Sequence, residues 1–259
     1  MGDKTKIDWC DASWNPVTGC LHGCEYCYAR KIAKRFGGGI ITGHDHLYIL
    51  DKPMRCTDSY DYMRIAGISA GRILPYPYHF EPTFHRYKLE EPKHLKKPRT
   101  IFVCSMADLF GEWVPEEWIL EAFDACRAAP QHRYLFLTKN PRRYIELAEK
   151  GMLPKEENFW YGSTATIPEM PFFYCKGVNV FLSVEPILAP FGNLGNQDSF
   201  VNWIIVGAET GNRKNKVVPQ KAWIDELSEQ CRRTGTPIFM KESLRGIMGE
   251  DFRQEYPWR

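Results

Sequence analysis

Three cysteines stand within eight residues, in Cys20-Leu-His-Gly-Cys24-Glu-Tyr-Cys27. Gaps of three and two residues let one short loop set three thiolates on three corner irons of a cubane [4Fe-4S] cluster. The fourth iron of such a cluster has no cysteine. It is open to a small molecule that offers an amino and a carboxylate group, and the reduced cluster can pass one electron to what it holds. Two other readings of the loop stay open: a structural zinc site completed by Cys10, His22 or a distant cysteine, and three reduced thiols with no metal. Zinc sites usually pair two Cys-x2-Cys or Cys/His elements, and no matching second element follows downstream.

A loop of this kind needs a frame on each side. Before it, Lys6 to Gly19 reads as a short strand with a turn-rich end at Asn15, Pro16 and Gly19, which delivers the chain to Cys20. After it, Tyr28 to Phe36 has helical character with Ile32 and Phe36 four apart, and the run from Gly37 to Gly39 stops it. Lys31, Lys34 and Arg35 give that helix a solvated face within reach of a polyanion.

Ile40 to Arg99 reads as a long irregular excursion over the mouth of the fold, with an insertion at about 40–76. It carries His44, His46, His79, His85 and His94 and many tyrosines. His44-Asp-His46 has metal-ligand spacing, or is ordinary loop chemistry. Between 84 and 99, Arg86, Lys88, Lys93, Lys96, Lys97 and Arg99 interleave with Phe84, His85 and Tyr87. That pattern can grip a nucleic-acid backbone and stack a base, or is a solvated lysine-rich loop.

From Thr100 a rhythm begins. The apolar runs 101–106, 134–139, 159–164, 180–185, 203–209 and 237–242 suit strands buried on both faces of a parallel sheet. Helical segments lie between several of them. Pro115 to Cys126 starts with proline and two acids and sets Ile119, Ala122, Phe123 and Cys126 on one stripe. Pro141 to Lys150 ends at Gly151. Pro219 to Thr234 ends at Gly235 and aligns Trp223, Leu227 and Cys231, so Cys126 and Cys231 read as core residues. Such alternation predicts an α/β fold, a partial (β/α)6-type parallel barrel.

Each run closes on polar residues: Ser105 and Asp108, Thr138 and Lys139, Ser163 and Thr164, Ser183 and Glu185, Glu209 and Thr210, Lys241 and Glu242. In parallel α/β folds the ligand lies beyond the carboxyl ends of the strands, so these residues are expected to converge on one cavity.

A length of 259 residues with 44% apolar and 25% charged residues predicts one globular domain over 1–259. Net charge is only +2, so contact with nucleic acid would need a local patch. Nine cysteines is an odd number, no secretory run opens the chain and no apolar run approaches a membrane span. The expectation is a reducing cytoplasm and no membrane.

The cysteine spacing, with Tyr26 just before the last cysteine, resembles the signature of the radical S-adenosylmethionine superfamily. Further blocks resemble a group of phage and bacterial radical-S-adenosylmethionine-like proteins of unknown function: Trp14-Asn-Pro-Val-Thr-Gly-Cys20, Phe102 to Phe110, Ala129-Pro-Gln-His132, Leu137-Thr-Lys139, Leu182 to Pro186 and Ile205 to Gly211. They span most of the chain. The loop through Tyr26-Cys-Tyr28 is also similar to that of spore photoproduct lyase, which acts on thymine lesions in DNA.

The resemblance implies roles by position. Cys20, Cys24 and Cys27 would ligate the cluster, and the Tyr26 backbone would meet the adenine of S-adenosylmethionine. Ser105, Met106 and Asp108 occupy the place of the motif that holds the methionine amino group, although the usual Gly-Gly-Glu wording is absent. Ser163 and Thr164 would meet the ribose, and Ser183 the ribose or the substrate. Glu185, Glu209 and Lys241 would form the catalytic or substrate-binding group. The implied activity is reductive cleavage of S-adenosylmethionine to a 5′-deoxyadenosyl radical, with flavodoxin or ferredoxin as reductant. The substrate would be a small molecule, a nucleobase for instance, or nucleic acid. The alternatives are a non-catalytic nucleic-acid-binding module with structural zinc, and a cluster that only transfers electrons.

Overall fold

Alternation along the buried runs decides the architecture, because successive side chains of a strand point to opposite faces. The computed structural model describes residues 5–37, 47–56, 71–192, 201–211 and 213–259. Its strands are β1 (Ala12–Trp14), β2 (Val17–Thr18), β3 (Tyr48–Leu50), β4 (Thr83–His85), β5 (Thr100–Val103), β6 (Arg133–Thr138), β7 (Phe159–Thr164), β8 (Asn179–Val184), β9 (Trp203–Val206) and β10 (Ile238–Met240). Seven of them pair in the order β1-β5-β6-β7-β8-β9-β10, all parallel, and the sheet curls into a half-barrel.

The helices are α1 (Tyr28–Phe36), α2 (Glu91–His94), α3 (Glu116–Arg127), α4 (Arg142–Glu149), α5 (Lys221–Thr234) and α6 (Arg245–Met248). The expected stripe of α3 is buried at Ile119, Ala122, Phe123 and Cys126, against the outward residues Tyr134, Phe136, Phe159 and Tyr161 of β6 and β7. Leu227 and Cys231 of α5 likewise pack on outward Leu182, Val184, Ile204 and Val206. Gly235 ends α5 in the left-handed conformation at φ 69°, where a side chain would be strained.

The inward face carries a second core of Trp9, Phe102, Leu135, Trp160, Phe181, Trp203, Ile205 and Phe239, with Tyr256 and Trp258 packed against it. This apolar floor fills the half-barrel below the carboxyl ends of the strands. Gly162 makes room for it: a Cβ there would lie 2.2–2.6 Å from the Phe181 ring.

Two expectations need correction. The described parts of 40–99 are not simply irregular. β2, β4 and β3 form a small sheet in that order, a 3-10 turn spans Arg86–Lys88, and α2 follows. β4 is its middle strand, so Phe84 and His85 are both fully buried, and Phe84 stacks on Trp118. Neither ring is free to stack a base. Arg86 is bound by Glu121 at 2.9 Å and Asp51 at 3.2 Å. The second correction concerns α1, whose inner face is Ala29 and Ala33 rather than Ile32 and Phe36. Small residues let this helix lie close against Phe80 and Met106. His44 and His46 lie outside the described residues, as does much of the proposed insertion.

Candidate functional site

Gly19 starts the cysteine loop with φ +89°, and a Cβ there would lie 2.2 Å from the Glu81 carbonyl oxygen. No other residue fits that turn without displacing backbone. The Gly19 amide donates to Met106 O at 3.0 Å and the Cys20 amide to Phe80 O at 3.2 Å. The loop closes where the Cys27 amide donates to Cys24 O at 3.2 Å. Cys27 then caps α1, its sulfur accepting the Arg30 amide at 3.4 Å, while Arg30 Nη2 donates to Cys20 O at 3.1 Å. Cys20, Cys24 and Cys27 are free thiols.

Above the apolar floor lies a cavity of about 350 Å³. Its walls include Cys20, Cys24, Tyr26 and Cys27 from the loop and Ser105, Asp108, Lys139, Thr164, Ser183, Glu185, Glu209 and Lys241 from beyond the strands. The inward stripe of each strand turns from apolar to polar as it reaches the carboxyl end. Leu135 leads to Leu137 and Lys139, Phe181 to Ser183 and Glu185, Trp203 and Ile205 to Glu209, and Phe239 to Lys241. This step of two explains two expected pairs that are split: Thr164 faces the cavity, whereas Ser163 faces outward and its Oγ accepts the Phe173 amide at 2.9 Å, and Lys241 faces the cavity, whereas Glu242 lies outside the lining, paired with Arg245. Met106 also lies outside the lining, buried under α1 with Ala33 and Phe80.

Each acid in the cavity already has a cation or donors. Asp108 is saturated: Oδ2 meets His22 Nε2 at 2.7 Å and the Lys139 amide at 2.9 Å, and Oδ1 accepts the Phe110 amide at 3.0 Å. It anchors the loop to the ends of β5 and β6 instead of offering a free carboxylate. Glu185 accepts a hydrogen bond from Lys241 Nζ, and Asp8 Oδ1 lies 3.9 Å from the same nitrogen. Glu209 is held by a two-pronged contact with Arg213, at 2.6 and 2.7 Å, and Arg213 continues to Glu25 at 3.2 Å. That guanidinium holds the Glu209 carboxyl below the usual carboxylate range. Burial pushes the Cys20 thiol up to about 12 in the protein alone; a bound cation reverses that direction by stabilising the thiolate.

Several residues that position the site carried weak sequence signals. Asn15, read as a turn residue and quoted in the Trp14 to Cys20 block without a role, accepts on Oδ1 from Ser105 Oγ at 3.2 Å and the Met106 amide at 2.9 Å. It fixes the turn after β5, where Cys104 adopts φ +60°. Tyr28 donates its hydroxyl to Ser105 O at 2.7 Å. Arg213 lies in a loop with no motif. Its partner Glu25 is 188 residues away, beyond any local pattern.

The three thiols suit a cluster by donor type and by place, since all line one wall of the cavity. Among the described residues no three His, Cys, Asp or Glu side chains converge on one ion position. A cubane takes each sulfur on a separate iron, so its ligands border a face instead of meeting at a point. His22 turns Nε2 to Asp108, and Cys10 lies outside the cavity lining, its thiol directed at Ile7 O at 3.9 Å and pushed by burial up to about 12. No helix among the described residues is long and apolar enough to cross a membrane.

A family model described as "Protein of unknown function (DUF5131)" matches residues 4–247. Comparison with curated proteins and with solved structures gives no match.

Proposed function

We propose that this chain, which belongs to the DUF5131 family of proteins of unknown function, is a radical S-adenosylmethionine enzyme. The observation that carries the reading is the shared cavity: three free cysteines of one loop border the polar carboxyl ends of a half-barrel of parallel strands. Cys20, Cys24 and Cys27 would hold a [4Fe-4S] cluster. When bound and reduced, that group would supply the electron that splits a sulfonium C–S bond of S-adenosylmethionine, and the resulting 5′-deoxyadenosyl radical would take a hydrogen atom from substrate. Flavodoxin or ferredoxin would provide the electron.

The chain's own residues have separable tasks. The loop fixed by Gly19, the Cys27 cap and His22 to Asp108 sets the sulfurs. Thr164 and Ser183 present hydroxyls for a ribose, and Ser105, held by Asn15 and Tyr28, lies where the methionine amino group would bind. Trp9, Phe102, Trp160 and Phe181 keep water from the floor. The Glu185 and Lys241 pair offers an acceptor and a donor to a polar substrate edge such as that of a nucleobase. Because the two neutralise each other, they serve recognition or proton transfer without leaving a lone buried charge.

The test is anaerobic reconstitution with iron and sulfide, then dithionite and S-adenosylmethionine with assay of 5′-deoxyadenosine. A four-iron cluster, product formation and loss of both in Cys24→Ala are expected. Stoichiometric zinc without iron or labile sulfide would overturn the reading.

A further inference from the structure

The charges around the cavity do not cancel evenly. Glu185 is matched by Lys241 and Glu209 by Arg213, while Asp108 is held by hydrogen bonds with His22 and the Phe110 and Lys139 amides. Lys139 has no carboxylate partner among the described residues. It follows β6 on the inward stripe, and its amine stands 5.7 Å from the centre of the Tyr26 ring. Lys31 also borders the cavity, from α1. That helix carries Arg30, Lys31, Lys34 and Arg35, has no acid in its first turn, and forms no ion pair among the described residues.

A cation held over an aromatic ring is attracted to it weakly, by about 0.5–1 kcal/mol at exposed sites. A phosphate oxygen offers more, through a charge-assisted hydrogen bond that lysine makes as a point charge. The net charge of the whole chain is only +2, and in the lining Lys31, Lys139 and Lys241 balance Asp108, Glu185 and Glu209, so the excess of positive charge is local to the rim along α1. We propose that the cavity takes a phosphate-bearing substrate, with Lys139 as its inner phosphate contact and Lys31 at the mouth. A free phosphate ester and a nucleic-acid phosphate share this chemistry. The extra cations Lys34 and Arg35 lie farther along α1, outside the cavity lining, where only a polymer would meet them.

This inference extends the enzyme reading by giving the substrate's charge, and it is tested by binding without turnover so that the two can fail separately. The intact chain, with iron content recorded, is titrated with thymidine, thymidine 5′-monophosphate and a twelve-nucleotide single-stranded DNA. A pyrimidine keeps the probe distinct from the adenosine of S-adenosylmethionine. At least tenfold tighter binding of the monophosphate than of thymidine is expected. Lys139→Gln should remove that preference while thymidine affinity stays within about twofold, and Lys139→Arg should keep most of it.

The double variant Lys34→Gln with Arg35→Gln, outside the cavity, separates the sources. It weakens only the oligonucleotide, and reduces its salt dependence, if the phosphate belongs to a polymer. If it changes neither probe, the substrate is a free phosphate ester. Equal affinity for thymidine and its monophosphate, no phosphate-dependent binding of any probe, or equal loss of both nucleoside and nucleotide in Lys139→Gln would overturn the proposal. Phosphate preference in a preparation that assembles no cluster would leave it standing and remove the radical reading.

Discussion

His22 Nε2 lies 2.7 Å from Asp108 Oδ2, so the loop that carries the cysteines is tied to the carboxyl end of the strand layer by one carboxylate. The same carboxylate accepts two backbone amides, from Phe110 and Lys139. Replacing Asp108 by Ala removes three hydrogen bonds at once. We expect a loss of about 2–3 kcal/mol in unfolding free energy, read by urea denaturation. Reconstituted protein should also lose iron faster than wild type, because the loop is freed on one side. A variant with wild-type stability and iron retention would show that the contact does not hold the loop.

Gly19 gives a sharper test of the loop alone. Gly19→Ala must both leave the φ +89° conformation and move away from the Glu81 carbonyl, 2.2 Å from the new Cβ. Iron and sulfide content after reconstitution should fall severalfold. Cys126→Ala and Cys231→Ala, in the outer cores, should retain cluster content although they lower the thermal midpoint.

His85 gives a pH dependence. Burial lowers its pKa from 6.5 to about 3, and its Nε2 is 2.8 Å from Thr18 Oγ1. The unfolded chain therefore takes up this proton first as pH falls. Stability from the neutral ring is complete above pH 6.5 and is lost as pH drops toward 3, on the order of 5 kcal/mol over the window. His85→Gln should flatten the decline in urea midpoint between those limits while lowering stability at pH 8. An unchanged acid limb would show that other groups dominate it.

Arg213 should control a second, more acidic limb. It holds the Glu209 carboxyl below its ordinary value of 4.5, a contribution present above that value and lost as pH falls through the depressed one. In Arg213→Gln this limb moves toward pH 4.5. Contact with Glu25 is lost too, so S-adenosylmethionine cleavage should drop more than substrate-independent folding signals do. A variant whose acid midpoint matches wild type would remove the electrostatic role assigned to Arg213.

Much of this architecture is legible in the sequence because it is repeated locally. Six apolar runs map onto β5 through β10 within a few residues, and the apolar stripes of α3 and α5 are buried as their spacing requires. Strand burial and helix periodicity are properties of ten or so consecutive residues, so the chain declares them directly. The cysteine spacing, likewise, is local and needs no fold to be read.

Direction and pairing are decided only by the tertiary structure. Ser163 and Thr164 are equivalent as sequence, yet one faces the outer core and the other the cavity, because neighbouring residues of a strand point to opposite sides. The aromatic stretch at 84–87 looks exposed in sequence, but β4 is a middle strand and buries Phe84 and His85. Asp108 is taken by His22, 86 residues away in the cysteine loop, and Glu209 by Arg213, four residues on in a loop without a motif. Sequence determined which residues could reach the mouth of a parallel half-barrel. The curvature of the sheet and the matching of charges across it decided which of them face the cavity, and which cations there, such as Lys139, have no carboxylate partner among the described residues.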